Sequence, residues 1–145
     1  MKKILITGVS GSGGSYLAEH LIKKKNIVCG ISRSKNKSKN LEKIINNKLF
    51  KLYYCNLLEF KKVKKLIKKI NPKIIYHLAA DADVQKSFTK PYQVVSNNIN
   101  STLNLLEALR VNNYKGRFIM CSTSEVYGNV KISKQPITEK NSLNP

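Results

Sequence analysis

Carboxylates are scarce in this sequence: eight Asp and Glu face 27 Lys and Arg, giving a net charge of +19 over 145 residues. Asp81 and Asp83 have no His or Cys partner at metal-ligand spacing, so no metal site is expected. Cys29, Cys55 and Cys121 are too few and too scattered for a disulfide framework or a zinc site, and they are expected to be reduced core thiols. No apolar run reaches the ~20 residues that a membrane helix needs. Lys2 and Lys3 lead into a short strand and then glycines rather than into a cleavage site, so the expectation is a cytoplasmic chain. Arginine is nearly missing, with only Arg33, Arg110 and Arg117. The remaining positive charge is lysine, over-used together with asparagine and isoleucine, three residue types that share A/T-only codons. A biased genome therefore accounts for the charge. Runs such as Lys61, Lys62, Lys64 and Lys65 sit where solvated helix faces should be, and no nucleic-acid partner is expected.

What is present in quantity is apolar residues, at 41%, enough for one sizeable core and hence a single α/β domain. The chain is organised around ILITGVSGSGGSYLAEHLI, residues 4–22, where an apolar run stops at a glycine-rich turn and restarts as an amphipathic helix. Gly8, Gly11 and Gly14 are evenly spaced, with Gly13 beside the last and Ser10 and Ser12 between them. Glycines leave backbone N–H groups uncovered where a pyrophosphate can approach, and the N-terminus of the following helix favours an anion. A glycine triplet alone is a weak signal, since ordinary strand-to-helix turns use glycine too. Context strengthens it: a strand precedes the turn, and Tyr16, Leu17, Leu21 and Ile22 give a helical stripe after it.

Periodicity predicts strands over residues 3–7, 27–32, 49–55, 73–78 and 117–121. Between them it predicts helices over 14–25, 58–70 and 91–112, and a weaker one over 41–47. The polar run 34–40 reads as a loop, and strand 73–78 as buried on both faces. In the longest helix Val95, Ile99, Thr102, Leu106 and Leu109 are spaced to face a sheet. The alternation gives a doubly wound parallel sheet of Rossmann type, ordered 3-2-1-4-5, with ligand at the carboxyl ends of the strands.

Strand ends then carry the chemistry. An acid after the second strand would receive the ribose 2′-hydroxyl, but the chain offers Ser32, Arg33 and Ser34 and no carboxylate until Glu42. Arg33 thus favours a 2′-phosphate and NADP, with NAD the alternative; the bland reading is one more surface cation. Asn56 and Leu57 would lie near the adenine. Leu78, Ala79 and Ala80 end the fourth strand with small residues that allow close approach of a cofactor. Thr123 and Glu125, in the run Ser122 to Tyr127, would place a hydroxyl and a carboxylate at the nicotinamide end; the bland reading is a Ser/Thr turn capping a short helix. His20 and His77 read as structural.

Together these stretches resemble the extended short-chain dehydrogenase/reductase family of nucleotide-sugar epimerases and dehydratases, most closely its GDP-mannose 4,6-dehydratase branch. The likeness rests on TGVSGSGGSYLAEHLI, YHLAADADV, NNINSTLNLLEAL and, most specifically, STSEVYG. It implies an NADP-dependent lyase acting on a nucleotide sugar, GDP-mannose in this branch, with the full-length form a homo-oligomer. It also implies that Thr123 contacts the sugar 4-hydroxyl and that Glu125 does acid/base work at C5 and C6, where an epimerase carries a small or neutral residue. Asn98, Ser101 and Thr102 match the asparagine and the Gly-Thr pair of the family helix. Asn56 stands where the family has aspartate, and Ala82 and Asp83 where Ser-His often follows Leu-Ala-Ala. The family's Tyr-x-x-x-Lys is expected beyond Pro145, together with the sugar-binding lobe, so residues 1–145 read as an incomplete dinucleotide-binding domain with no turnover of its own. A different epimerase or reductase, and a non-catalytic nucleotide-binding module, are the alternatives.

Overall fold

The computed structural model describes residues 1–34 and 39–145. Among them, five parallel strands form one sheet in the order β3-β2-β1-β4-β5, as the βα alternation predicts. The strands are β1 (Lys3–Thr7), β2 (Ile27–Ser32), β3 (Phe50–Tyr54), β4 (Ile74–His77) and β5 (Arg117–Met120). The helices are α1 (Ser12–Lys23), α2 (Phe60–Ile70), α3 (Val84–Thr89) and α4 (Pro91–Val111). β1 is central, paired in register with β2 on one side (Leu5 opposite Cys29) and β4 on the other (Leu5 opposite Ile75).

Alternation along β1 divides the interior into two cores. Leu5 points to one face, where Cys29, Ile31 and Ile75 meet Val63, Ile67 and Ile70 of α2 and Leu105 and Ala108 of α4. Ile4 and Ile6 point to the other, against Ala18 and Ile22 of α1 and Leu41, Ile44 and Phe50. Burial of aliphatic side chains of this size stabilises each core by about 1.5–3 kcal/mol per residue. The α2–α4 pair is pinned by Asn112, whose amide donates to Lys64 O at 3.0 Å.

Several sequence expectations need correction. The helix expected over 41–47 is a 3₁₀ turn, Lys39–Leu41, followed by successive turns in which Ile44 N–H and Ile45 N–H both bond Leu41 O. The loop read into 34–40 lies largely outside the described residues. In α1 the buried line is Gly14, Ser15, Ala18 and Ile22, while Tyr16 is 72% exposed; small residues let the helix lie close on the sheet. In α4 the inward line is Val94, Ser101, Leu105, Ala108 and Leu109, leaving Val95, Ile99 and Leu106 exposed. α4 is apolar on two sides, so its periodicity is degenerate. β4 is not buried on both faces: Ile75 and His77 are, while Ile74 and Tyr76 are half-buried. Cys121 is exposed, unlike Cys29 and Cys55, because it lies just past the end of the edge strand β5.

Candidate functional site

At the carboxyl ends of the strands the chain leaves a cavity of about 190 Å³. Gly8, Ser10, Arg33, Asn56, Leu57, Ala79 and Ala80, all expected there from the sequence, line it. Their gathering follows from the topology, since β1, β2, β3 and β4 run parallel and each ends on this rim.

The floor is the turn between β1 and α1. Gly8 has φ +69°, and a Cβ there would stand 2.8 Å from Ala79 N, so backbone meets backbone between the turn and the end of β4. Gly14 is equally constrained, because its Cβ would lie 2.4 Å from Gly8 O. Gly11 and Gly13 are not: the nearest atoms to a Cβ would be at 3.4 and 3.7 Å, the latter being Leu78 Cδ2. Gly11 caps α1 without a side chain to bond the first-turn amides, and that turn holds no acid. The amides of Ser12, Gly13 and Gly14 thus open a helix whose first N–H groups have no intrahelical acceptor. Two glycines close the turn and two leave room over a helix N-terminus, which suits the pyrophosphate of a dinucleotide.

Arg33, exposed at the end of β2, lies on the rim. Asn56 turns inward on its own backbone, its Oδ1 accepting from Leu58 N–H at 3.1 Å, and Leu57 is buried beneath it. Sequence reasoning missed Asp81, which reaches the same cavity from the β4 end. Its carboxylate is paired with Lys86, and Lys86 first and Arg33 to a lesser degree hold its pKa below the usual carboxylate range. Sequence reasoning also missed α3, whose start was marked by Asp83: its carboxylate accepts from Lys86 N–H at 3.0 Å.

A second cavity, of about 460 Å³, adjoins the first through Ala79 and Ala80 and is lined by His77, Asn98, Thr102, Ser122 and Thr123 among others. β5 delivers this segment, with Cys121 N–H still bonded to His77 O at 3.2 Å in line with the sheet. The chain then makes a 3₁₀ turn, Ser124–Tyr127, in which Thr123 Oγ1 accepts from Glu125 N–H at 3.2 Å. The capping turn weighed as the bland reading is therefore real. It coexists with an exposed Glu125, which does not line the second cavity although Thr123, two residues earlier, does.

Comparison with known proteins follows the same outline. The family described as GDP-mannose 4,6 dehydratase matches this chain over residues 5–145. The chain belongs to that family. Among its relatives, the GDP-mannose 4,6-dehydratase of Yersinia enterocolitica is 41% identical over 141 residues, covering 90% of this chain and 38% of the relative. The GDP-mannose 4,6 dehydratase 2 of Caenorhabditis elegans is 38% identical over 90% of this chain and 37% of its own. The chain thus spans about two-fifths of the length of these GDP-mannose 4,6-dehydratase relatives. Among solved structures, the UDP-Glc/GlcNAc 4-epimerase of Campylobacter jejuni superposes with TM-score 0.86 at 29% identity, covering 100% of this chain and 44% of that one. The Bordetella bronchiseptica enzyme WbmH, solved in complex with NAD+, gives TM-score 0.79 at 27% identity over 100% of this chain and 47% of its own. These structural neighbours share the parallel sheet and its flanking helices. No helix among the described residues is long and apolar enough to cross a membrane.

Proposed function

We propose that residues 1–145 form the dinucleotide-binding part of a GDP-mannose 4,6-dehydratase that uses NADP. The observation that carries this reading is the STSEVYG segment after β5, with Thr123 in the wall of the second cavity and Glu125 exposed two residues further on. What the dinucleotide supplies when bound is transient hydride storage, taken from sugar C4 and returned at C6. The glycine turn and the N-terminus of α1 hold its pyrophosphate, and Ala79 and Ala80 bound the passage between the two cavities. Arg33 receives the 2′-phosphate, a contact that a carboxylate at this position would repel. Thr123 hydrogen-bonds the 4-hydroxyl and orients C4. Glu125 then takes the C5 proton, acidified by the C4 ketone, and gives a proton to the hydroxyl leaving C6. The 4-hydroxyl proton released on oxidation at C4 would pass to a second base and return to C5 as hydride adds at C6, so oxidation and reduction cancel and the net reaction is loss of water.

The epimerase neighbours favour a second reading, 4-epimerisation on the same scaffold. Glu125 separates the two, because inversion at C4 requires no base at C5. In a longer, turnover-competent protein that carries residues 1–145, assayed on GDP-mannose with product analysis, Glu125→Gln should lower 4-keto-6-deoxy product formation by roughly 100- to 10,000-fold. An unchanged dehydration rate would return Glu125 to its turn-forming role, and a C4 epimer formed with no 4-keto-6-deoxy product would make epimerisation the better account.

A further inference from the structure

His77, the last residue of β4, is 3% exposed and takes no part in the chemistry above. Its Nδ1 lies 2.7 Å from Thr7 Oγ1 and its Nε2 lies 3.0 Å from Thr102 Oγ1. The other partners of the two threonines favour one direction for both contacts. Thr102 has the carbonyl Asn98 O 2.9 Å away in α4, and a hydroxyl that donates there can only accept toward His77. Nε2 therefore carries the ring proton. Nδ1 is then the acceptor, and Thr7 donates to it while receiving Ala79 N–H at 3.2 Å. The result is a one-way relay: Ala79 N–H to Thr7 hydroxyl to His77 Nδ1, and His77 Nε2–H to Thr102 hydroxyl to Asn98 O. The opposite tautomer would set Nε2 against a hydroxyl already committed elsewhere and leave the Thr7 proton without this acceptor.

Both ends of the relay hold the same short segment. One end takes the amide of Ala79. At the other, the Asn98 side chain accepts Asp81 N–H at 2.7 Å and donates to Asp81 O at 3.1 Å. This segment packs backbone to backbone against Gly8 and divides the two cavities. We propose that His77 is a positioning residue that, as the Nε2–H tautomer, ties segment 79–81 to β1 and to α4 and so sets the width of the cleft between the phosphate turn and the Thr123 side. The proposal rests on reading that cleft as a dinucleotide site.

The test uses the whole 145-residue chain. Nitrogen NMR of the ligand-free chain at neutral pH should show His77 protonated at Nε2 and bare at Nδ1, with the amides of Ala79 and Asp81 protected from hydrogen exchange. His77→Leu should accelerate exchange at those two amides while leaving Leu5 in β1 protected. His77→Asn, which keeps one donor and one acceptor, should restore protection. NADP affinity measured by calorimetry should follow the same order, weaker by about tenfold in His77→Leu, the scale of one lost hydrogen bond, and near the starting value in His77→Asn. An Nδ1–H tautomer, or unchanged Ala79 exchange in His77→Leu, would overturn the relay. The tautomer is read on the unaltered chain, so it decides even if His77→Leu fails to fold. An intact relay in a chain that binds no NADP would overturn the reading of the cleft, and with it the functional half of the proposal.

Discussion

The two ends of the cleft are held in place by different means. At the β1–α1 turn, the Gly8 backbone lies against Ala79, Gly14 lies under Gly8 O, and Gly8 N–H and Val9 N–H both bond Ile31 O at 3.1 and 3.3 Å. The neighbours come from β2, from the segment after β4 and from α1. After β5, the Thr123–Tyr127 turn is bonded chiefly within itself, through Glu125 N–H to Thr123 Oγ1 and Gly128 N–H to Glu125 O, and Thr123 and Glu125 are exposed. Tertiary packing therefore dictates the first end, and local turn chemistry the second. A phosphate site needs fixed backbone amides, whereas an acid/base group needs a carboxylate that can reach its proton.

That contrast breaks most sharply at the glycines. Gly14→Ala puts a methyl group into Gly8 O and Val9 Cα, and should cost about 1–3 kcal/mol in urea denaturation, as overpacking does. Gly13→Ala, one residue earlier in the same helix turn, meets nothing closer than 3.7 Å. It should leave stability unchanged or raise it by about 0.5–1 kcal/mol, because alanine is the better helix former. Its NADP affinity should nonetheless fall, since the methyl group occupies the space left for the pyrophosphate. A Gly13→Ala chain that binds NADP as before would mean that the ligand does not approach the turn there.

Strand order and boundaries were legible in the sequence because each strand is a short apolar run stopped by glycine, proline or polar residues. The glycine turn was legible for the same reason, with steric demands local enough to leave a spacing. Helix faces were less so. Val95 and Ile99 fit the period as well as Val94 and Ser101, and only packing on the sheet chooses between them. Asp81 and the His77 relay left no sequence signal at all, since His77 finds partners 70 and 25 residues away and Asp81 reaches the Arg33 rim from another strand.

The smallest expected effect concerns pH. Burial lowers the pKa of His77, so between its folded value and about 6.5 the unfolded chain binds more protons than the folded one. Stability then rises with pH across that window, is complete above about 6.5 and is lost as pH falls below it, with a slope of at most about 1.4 kcal/mol per pH unit. Asp81 and Glu107, whose pKa values are lowered by Lys86 and Arg110, act in the same sense at more acid pH. Urea midpoints measured between neutral and mildly acid pH should show the histidine slope, and His77→Asn should flatten it.

The account depends most on the cleft being an NADP site read by Arg33. Calorimetric titration of the chain with NADP and with NAD, repeated on Arg33→Ala, measures this directly. NADP should bind the unaltered chain more tightly than NAD, and Arg33→Ala should weaken NADP by roughly tenfold or more while leaving NAD nearly unchanged, because a charge-assisted contact to phosphate is lost. Equal affinity for the two dinucleotides, or tighter binding of NAD, would contradict it.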